Sequence, residues 1–220
     1  PKHWEARKWI SGFTGSAGTV VVTLDKAGLW TDSRYFLQAA EQLENTGITL
    51  FKERLPETPS IVEWLGCVLN AEDNVGIDGW VNSYQETSNL QKELEKKQIH
   101  LTLAPDPFNE LWTDRPALPD NKVFIHELKY AGLSCKDKIT QIREAIRRNS
   151  CTGILISALD EVAWTLNLRG SDVHCNPVFV SYLLITEYSS TLYIIENKLS
   201  DEVKDYLAEN GVTVKPYSTI

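Results

Sequence analysis

Arg34 is the residue whose type and setting most invite chemistry. It stands in Trp30-Thr-Asp-Ser-Arg34-Tyr-Phe, where a strand-forming run gives way to a helix. A cation in the first turn of a helix opposes the macrodipole by roughly 0.3–1 kcal/mol, so local electrostatics would not select it. Two readings stay open. Asp32, two residues earlier, could hold Arg34 in a surface ion pair. Alternatively, the planar guanidinium is fixed at a hairpin-to-helix corner and projects outward, a geometry suited to a peptide carbonyl or carboxylate. Arg169, inside a second glycine-containing loop, is a weaker version of the same arrangement and reads better as a loop arginine ordering its neighbours.

Other candidate chemistries fare worse. The cluster Gly12-Phe-Thr-Gly15-Ser-Ala-Gly18 lacks the Gly-Lys-Ser/Thr of a phosphate loop. It also leads into a strand, whereas a phosphate cradle needs a helix N-terminus aimed at the ligand. A nucleophile elbow around Ser16 would need glycine where Thr14 stands. The cluster therefore reads as a tight helix-to-strand turn with close backbone approach. His3, His100, His126 and His174 are each isolated, and no metal site is expected in this chain. His174 and Cys175 are adjacent, but neighbours on a strand face opposite ways, and nothing marks Cys175 as activated. Asp160-Glu161 is an ordinary favourable pair at a helix start. No catalytic residue is assigned.

The elements that must position Arg34 follow from local pattern. Glu5 to Ile10 is a helix tail stopped by glycines, Thr19 to Thr23 a β-branched strand, and Asp25-Lys-Ala-Gly28 a turn returning antiparallel through Leu29 to Thr31. Asp32 or Ser33 caps a helix with Phe36, Leu37, Ala40 and Leu43 at helical spacing. Ile48 to Phe51 is a short strand. Thr58-Pro59 reads as a cap and first-turn proline, with Ile61, Val62, Leu65, Val68 and Leu69 inward. Strands at 75–78 and 101–103 flank a helix opened by the Ser83/Glu86 capping box. Four prolines between Ala104 and Asn121 should break any regular element. Beyond them come a strand at 123–125, a helix from Ser134 to Asn149, a buried strand from Gly153 to Ile156 and a helix from Leu159 to Asn167. Strands at 179–186 and 191–195, a helix capped by Ser200 and a last strand at 212–214 complete an α/β alternation.

Composition sets limits. The 220 residues are 42% hydrophobic and 24% charged, an ordinary globular balance. A net charge of −8 argues against nucleic acid or an anionic membrane as the main partner. Four scattered cysteines give no disulfide framework and suit a reducing compartment. No run approaches the ~18 apolar residues of a membrane span. Cytoplasmic residence is the expectation.

The chain also echoes itself. Trp9, Gly15 and Ser16 recur at one constant offset as Trp164, Gly170 and Ser171, each set followed by two strands and a capped helix. Gly47-Ile-Thr-Leu corresponds to Gly211-Val-Thr-Val. Two copies of one α/β unit are therefore expected, as domains 1–121 and 122–220. Elements present in one copy and absent from the other predict that the first is truncated at its N-terminus and the second at its C-terminus.

Four segments carry a resemblance: ISGFTGSAGTVVVT from Ile10, LWTDSRYFLQAA from Leu29, FNELWTDRP from Phe108, and ALDEVAWTLNLRGSDVHCNPVF from Ala158. In this order, they resemble the three-domain Xaa-Pro aminopeptidases (aminopeptidase P). The resemblance implies two tandem creatinase N-terminal-like domains, mixed sheets flanked by helices, ahead of a catalytic domain. It implies hydrolysis of the bond between an N-terminal residue and a following proline. It implies two divalent metal ions, usually manganese, held by Asp, His and Glu in a C-terminal domain, where a bridging hydroxide attacks the carbonyl. None of those ligands maps onto this chain, which alone is expected to be inactive. The family's arginine in W-T-D-x-R-Y-F contacts bound peptide; the matching residue is Arg34, with Trp30, Thr31, Asp32 and Tyr35 completing the motif. The implied partners are peptides with proline at the second position and, since members are often dimers, a second copy of the protein. One alternative is a binding or assembly module of a relative whose catalytic domain has lost its metals. Prolidase and creatinase use related domains on other substrates.

Overall fold

The hairpin and its glycine loop form in the computed structural model, which describes every residue from Pro1 to Ile220. Two compact units divide between Pro116 and Ala117.

In the first unit, α1 (Ala6–Ser11) ends at Gly12, whose φ of 73° supplies the left-handed cap that glycine adopts without a Cβ penalty. Strands β1 (Thr19–Val22) and β2 (Ala27–Thr31) pair antiparallel, with Val20 opposite Leu29 and Thr19 opposite Trp30. A 3₁₀ turn, Ser33–Tyr35, leads into α2 (Phe36–Gln42), and β3 (Ile48–Lys52) returns parallel to β2. Val20 and Val21 in the middle of β1 point to opposite faces and join separate apolar clusters, whereas Thr19 and Val22 at its ends are exposed. Val20, Leu29, Ile48 and Leu50 pack with Phe13 and Ala39. On the other side Trp30 stacks on Phe51 at 4.2 Å and meets Trp64 edge-on.

Trp64 belongs to α3 (Ile61–Val68), whose cap is Ser60 rather than Thr58. Ser60 and Glu63 form a reciprocal capping box, satisfying two backbone donors where a Thr58-Pro59 start would have satisfied one. Pro59 contributes otherwise, its carbonyl accepting from Trp30 Nε1 at 2.8 Å. A parallel pair follows, β4 (Asn74–Asp78) and β5 (His100–Ala104), joined through α4 (Tyr84–Glu95) with its Ser83/Glu86 capping box. Leu65, Leu94 and Ile99 are the buried centre there. The proline-rich segment contains one regular element after all, the single-turn α5 (Phe108–Leu111), started by Pro107, whose fixed φ suits a helix entrance.

The second unit opens with β6 (Phe124–Ile125) and the one-turn α6 (Leu128–Ala131), then α7 (Cys135–Arg148), capped by Ser134. Next come β7 (Gly153–Ile156), α8 (Leu159–Leu166) and β8 (Leu168–Arg169), which pairs with β6. Strands β9 (Ser181–Thr186) and β10 (Ser190–Ile194) form a hairpin; α9 (Asp201–Glu209) and β11 (Thr213–Pro216), parallel to β10, end the sheet. Its strand order is β11-β10-β9-β7. β7 is thus an edge strand, and Ile154 and Leu155 are largely exposed instead of buried. The core gathers Ile139, Val162, Leu166, Phe179, Leu183 and Leu192. No helix is long and apolar enough to cross a membrane.

Helix, glycine loop, antiparallel hairpin, helix and parallel strand thus occur once in each unit. The two leading helices end alike, at Gly12 and at Asn167, both left-handed.

The cysteines give a check on this packing. Cys67, Cys151 and Cys175 are exposed, whereas Cys135 is buried and its thiol is pushed up to about 11 by burial. Three thiols are expected to react promptly with a disulfide reagent at pH 8, and the fourth only after denaturant. Prompt reaction of all four would mean that α7 does not pack as described.

Candidate functional site

The corner around Arg34 is assembled from the glycine loop, the end of β2 and the 3₁₀ turn. Asp32 is the cap: its Oδ1 accepts from Arg34 N at 3.0 Å. The same carboxylate receives the guanidinium, Oδ1 from Nε at 2.9 Å and Oδ2 from Nη2 at 2.7 Å. The expected ion pair therefore has a structural counterpart. The ion pair with Asp32 forms, using the side edge of the fork. The Arg34 side chain is nonetheless 66% exposed, and Nη1 makes no hydrogen bond within the chain, leaving the end of the fork open to a second acceptor.

Electrostatics follow this geometry. Hydrogen bonding from Arg34 holds the Asp32 carboxyl down to about 2, and Asp32 in turn raises the Arg34 guanidinium. Because the folded carboxyl titrates below its ordinary 3.8, the contact contributes fully above that range and is lost as pH falls through about 2. Across physiological pH the pair stays ionised.

Beneath Arg34 lies Tyr35, the ring centroid 5.3 Å from Cζ. The Tyr35 hydroxyl meets Ser16 Oγ at 2.5 Å, an interaction that lowers the phenol pKa. The ring edge packs on fully buried Phe13. The loop carrying Ser16 is fixed from behind. Arg7 of α1 donates from Nη1 to Gly18 O at 2.8 Å and from Nη2 to Gly15 O, while Thr31 Oγ1 donates to Ala17 O at 2.7 Å. Gly15 admits no larger residue, since a Cβ there would lie 2.2 Å from Phe13 Cζ. Gln38 and Gln42 of α2 reach back to Thr14. A cleft of about 290 Å³ opens beside this loop, lined by Trp4, Arg7, Lys8, Thr14 and Ser16 among others.

The second unit builds the same corner with different chemistry. Its 3₁₀ turn, Glu196–Lys198, follows β10 as Ser33–Tyr35 follows β2. The last residue again reaches the glycine loop, here as an ion pair between Lys198 Nζ and Asp172 Oδ2 with both side chains fully buried. Burial lowers the Lys198 pKa, and Asp172 offsets only part of that. Asp172 Oδ2 also accepts from Val180 N at 2.6 Å. Asn197 stands where the first unit has Arg34, so the exposed Arg–Asp fork exists at one corner only.

Arg169 donates from Nη1 to Ala163 O and Leu168 O, both at 2.8 Å, ordering its own loop. His174 and Cys175 sit in a turn closed by the Val173–Asn176 bridge, not on a strand. No three His, Cys, Asp or Glu side chains assemble as a metal-holding group. A further polar centre is absent from the sequence reading. Buried Lys138 donates to Trp164 O at 2.7 Å and Asn167 Oδ1 at 2.6 Å, with its Nζ 4.2 Å from the Trp164 ring centroid. Its signal was available: position 138 lies on the α7 face with Cys135 and Ile142, where an apolar residue is the rule.

Comparison with known proteins places these observations. Residues 3–106 and 114–220 each match the creatinase/prolidase N-terminal domain. Aminopeptidase P2 of Arabidopsis thaliana is 43% identical over 217 residues, covering 97% of this chain and 30% of that protein. A probable Xaa-Pro aminopeptidase P of Neurospora crassa is 44% identical over 220 residues, covering 97% of this chain and 32% of that protein. The crystal structure of an X-prolyl aminopeptidase from Caenorhabditis elegans, a cytosolic enzyme with a di-nuclear active site, matches at TM-score 0.94 and 32% identity. That match covers 99% of this chain and 35% of the other. The chain thus spans about a third of the length of these relatives.

Proposed function

The chain belongs to the creatinase/prolidase N-terminal domain family, with two such domains in tandem, and on that footing we propose that it is the non-catalytic, substrate-gating region of a longer metallo-aminopeptidase that releases the N-terminal residue from Xaa-Pro peptides. The observation that carries the reading is the similarity to Xaa-Pro aminopeptidases over 97% of the chain.

Arg34 is the peptide-binding residue in this proposal. Proline has no backbone N–H, so an Xaa-Pro peptide offers fewer donors than acceptors. A guanidinium, which only donates, suits its carbonyls. With the side edge of the fork neutralised by Asp32, the open end presents donors in a fixed plane. The chemistry of bond cleavage is assigned to two divalent metal ions, manganese by preference, outside these two domains, because no residues here come together to hold them. Cytoplasmic residence and a homodimer belong to the same proposal.

The test is peptide selectivity of the longer protein. It should release the first residue from an Xaa-Pro-Xaa tripeptide and leave the matched Xaa-Ala-Xaa largely intact. No release from the former, or equal release from both, would contradict the assignment.

A further inference from the structure

We infer that Ser16 and Tyr35 are positioning residues for Arg34: their hydroxyl pair ties the glycine loop to the hairpin-to-helix corner and holds the ring on which the guanidinium rests. This goes beyond the peptide-binding reading of Arg34 but rests on it.

An exposed arginine ordinarily samples many rotamers. A long side chain on the surface loses considerable rotamer entropy when held in one geometry, and an isolated ion pair is seldom enough to hold it. Asp32 fixes one edge of the fork, which still allows the plane to swing about the shared edge. The Tyr35 ring, 5.3 Å from Arg34 Cζ, closes off one side of that swing. The ring is held at two points: its edge on fully buried Phe13, and its hydroxyl on Ser16 at 2.5 Å. Ser16 has little freedom of its own. The preceding Gly15 is pressed against Phe13, and the loop carbonyls of Gly15 and Gly18 are held by Arg7. A continuous set of contacts thus runs from α1 through the loop to the guanidinium.

The second unit isolates what the tie does. There the corner is also closed between the last residue of the 3₁₀ turn and the glycine loop, through Lys198 and Asp172. Those two side chains are fully buried and support no exposed arginine. Both corners are thus closed between turn and loop, the second by a buried ion pair. The first unit instead uses an aromatic ring with a hydroxyl tip, which closes the corner and also offers a face to a cation. The cleft beside the loop is lined in part by Ser16, so the tie lies at the rim of open space.

The experiment uses the longer protein and compares Tyr35→Phe, Ser16→Ala and Ser16→Thr, each in the natural background and with Arg34→Ala. Tyr35→Phe keeps the ring and removes only the hydroxyl. Losing one neutral hydrogen bond should lower kcat/KM on an Xaa-Pro peptide about 3- to 10-fold in Tyr35→Phe and in Ser16→Ala, through KM. The two together should cost no more than one alone, and Ser16→Thr, which retains a hydroxyl, should restore most of the activity. In the Arg34→Ala background neither change should matter further, because both act through Arg34. Unchanged kcat/KM in Tyr35→Phe and Ser16→Ala would overturn the inference. So would losses that persist undiminished without Arg34, the signature of a purely structural tie. If Arg34→Ala itself has no effect, the peptide-binding reading fails first, and that result is distinct from the other two.

Discussion

Replacing Arg34 by alanine in the longer protein is expected to lower kcat/KM on Xaa-Pro peptides about 10- to 100-fold, the range for losing a charge-assisted hydrogen bond. The loss should appear mainly in KM, since a residue gripping the peptide in ground and transition states alike contributes uniform binding. The fold should persist. Arg34 is 66% exposed, its one ion pair is with Asp32, and no buried group depends on it. Arg34→Lys should recover little, because a lysine cannot bond Asp32 along one edge and present coplanar donors at its end. An unchanged kcat/KM in Arg34→Ala would remove Arg34 from the peptide site and leave it as a surface ion pair.

The largest effect on stability is expected at the other corner. Asp172→Asn leaves the Lys198 ammonium fully buried without its carboxylate, a change that costs about 3–5 kcal/mol when one partner of a buried pair is removed. The asparagine can still accept from Val180 N or from Lys198, so the penalty is one of charge more than of shape. Its pH dependence distinguishes the two. Burial already depresses the Lys198 pKa below its ordinary 10.5, and loss of Asp172 depresses it further. Between the folded pKa and 10.5 the unfolded chain binds more protons than the folded one, so stability rises with pH there. The difference between Asp172→Asn and the natural protein in denaturant midpoint should therefore shrink as pH is raised toward 10. A difference that does not change with pH would place the cost in packing rather than in the stranded ammonium.

Particular residues explain how much could be read from the sequence. The repeat was legible because it rests on backbone requirements. Gly15 and Gly170 both lie where a Cβ would strike a buried phenylalanine, Phe13 or Phe179, so residue type reports directly on space. The pairing of Asp32 with Arg34 was legible because the partners are two residues apart. Ser60 was missed as a cap because Thr58-Pro59 gives an overlapping signal, and only the reciprocal bond from Glu63 decides between them. The edge position of β7 was hidden by Ile154 and Leu155, whose types fit a buried strand equally well. The Lys198–Asp172 pair was out of reach by pattern alone, since tertiary folding brings together residues from separate elements. Alignment of the two corners was the available route: Lys198 stands where Tyr35 stands, and Asp172 takes the part played by Ser16.

We propose that these domains grip peptide and that the chemistry resides in another part of the protein. This is tested most directly by assaying the isolated 220-residue chain beside the longer protein on one Xaa-Pro-Xaa peptide, with manganese added to both. The longer protein should release the first residue, and the isolated chain should release none. Manganese-dependent turnover that co-purifies with the isolated chain and disappears in its Arg34→Ala variant would contradict it.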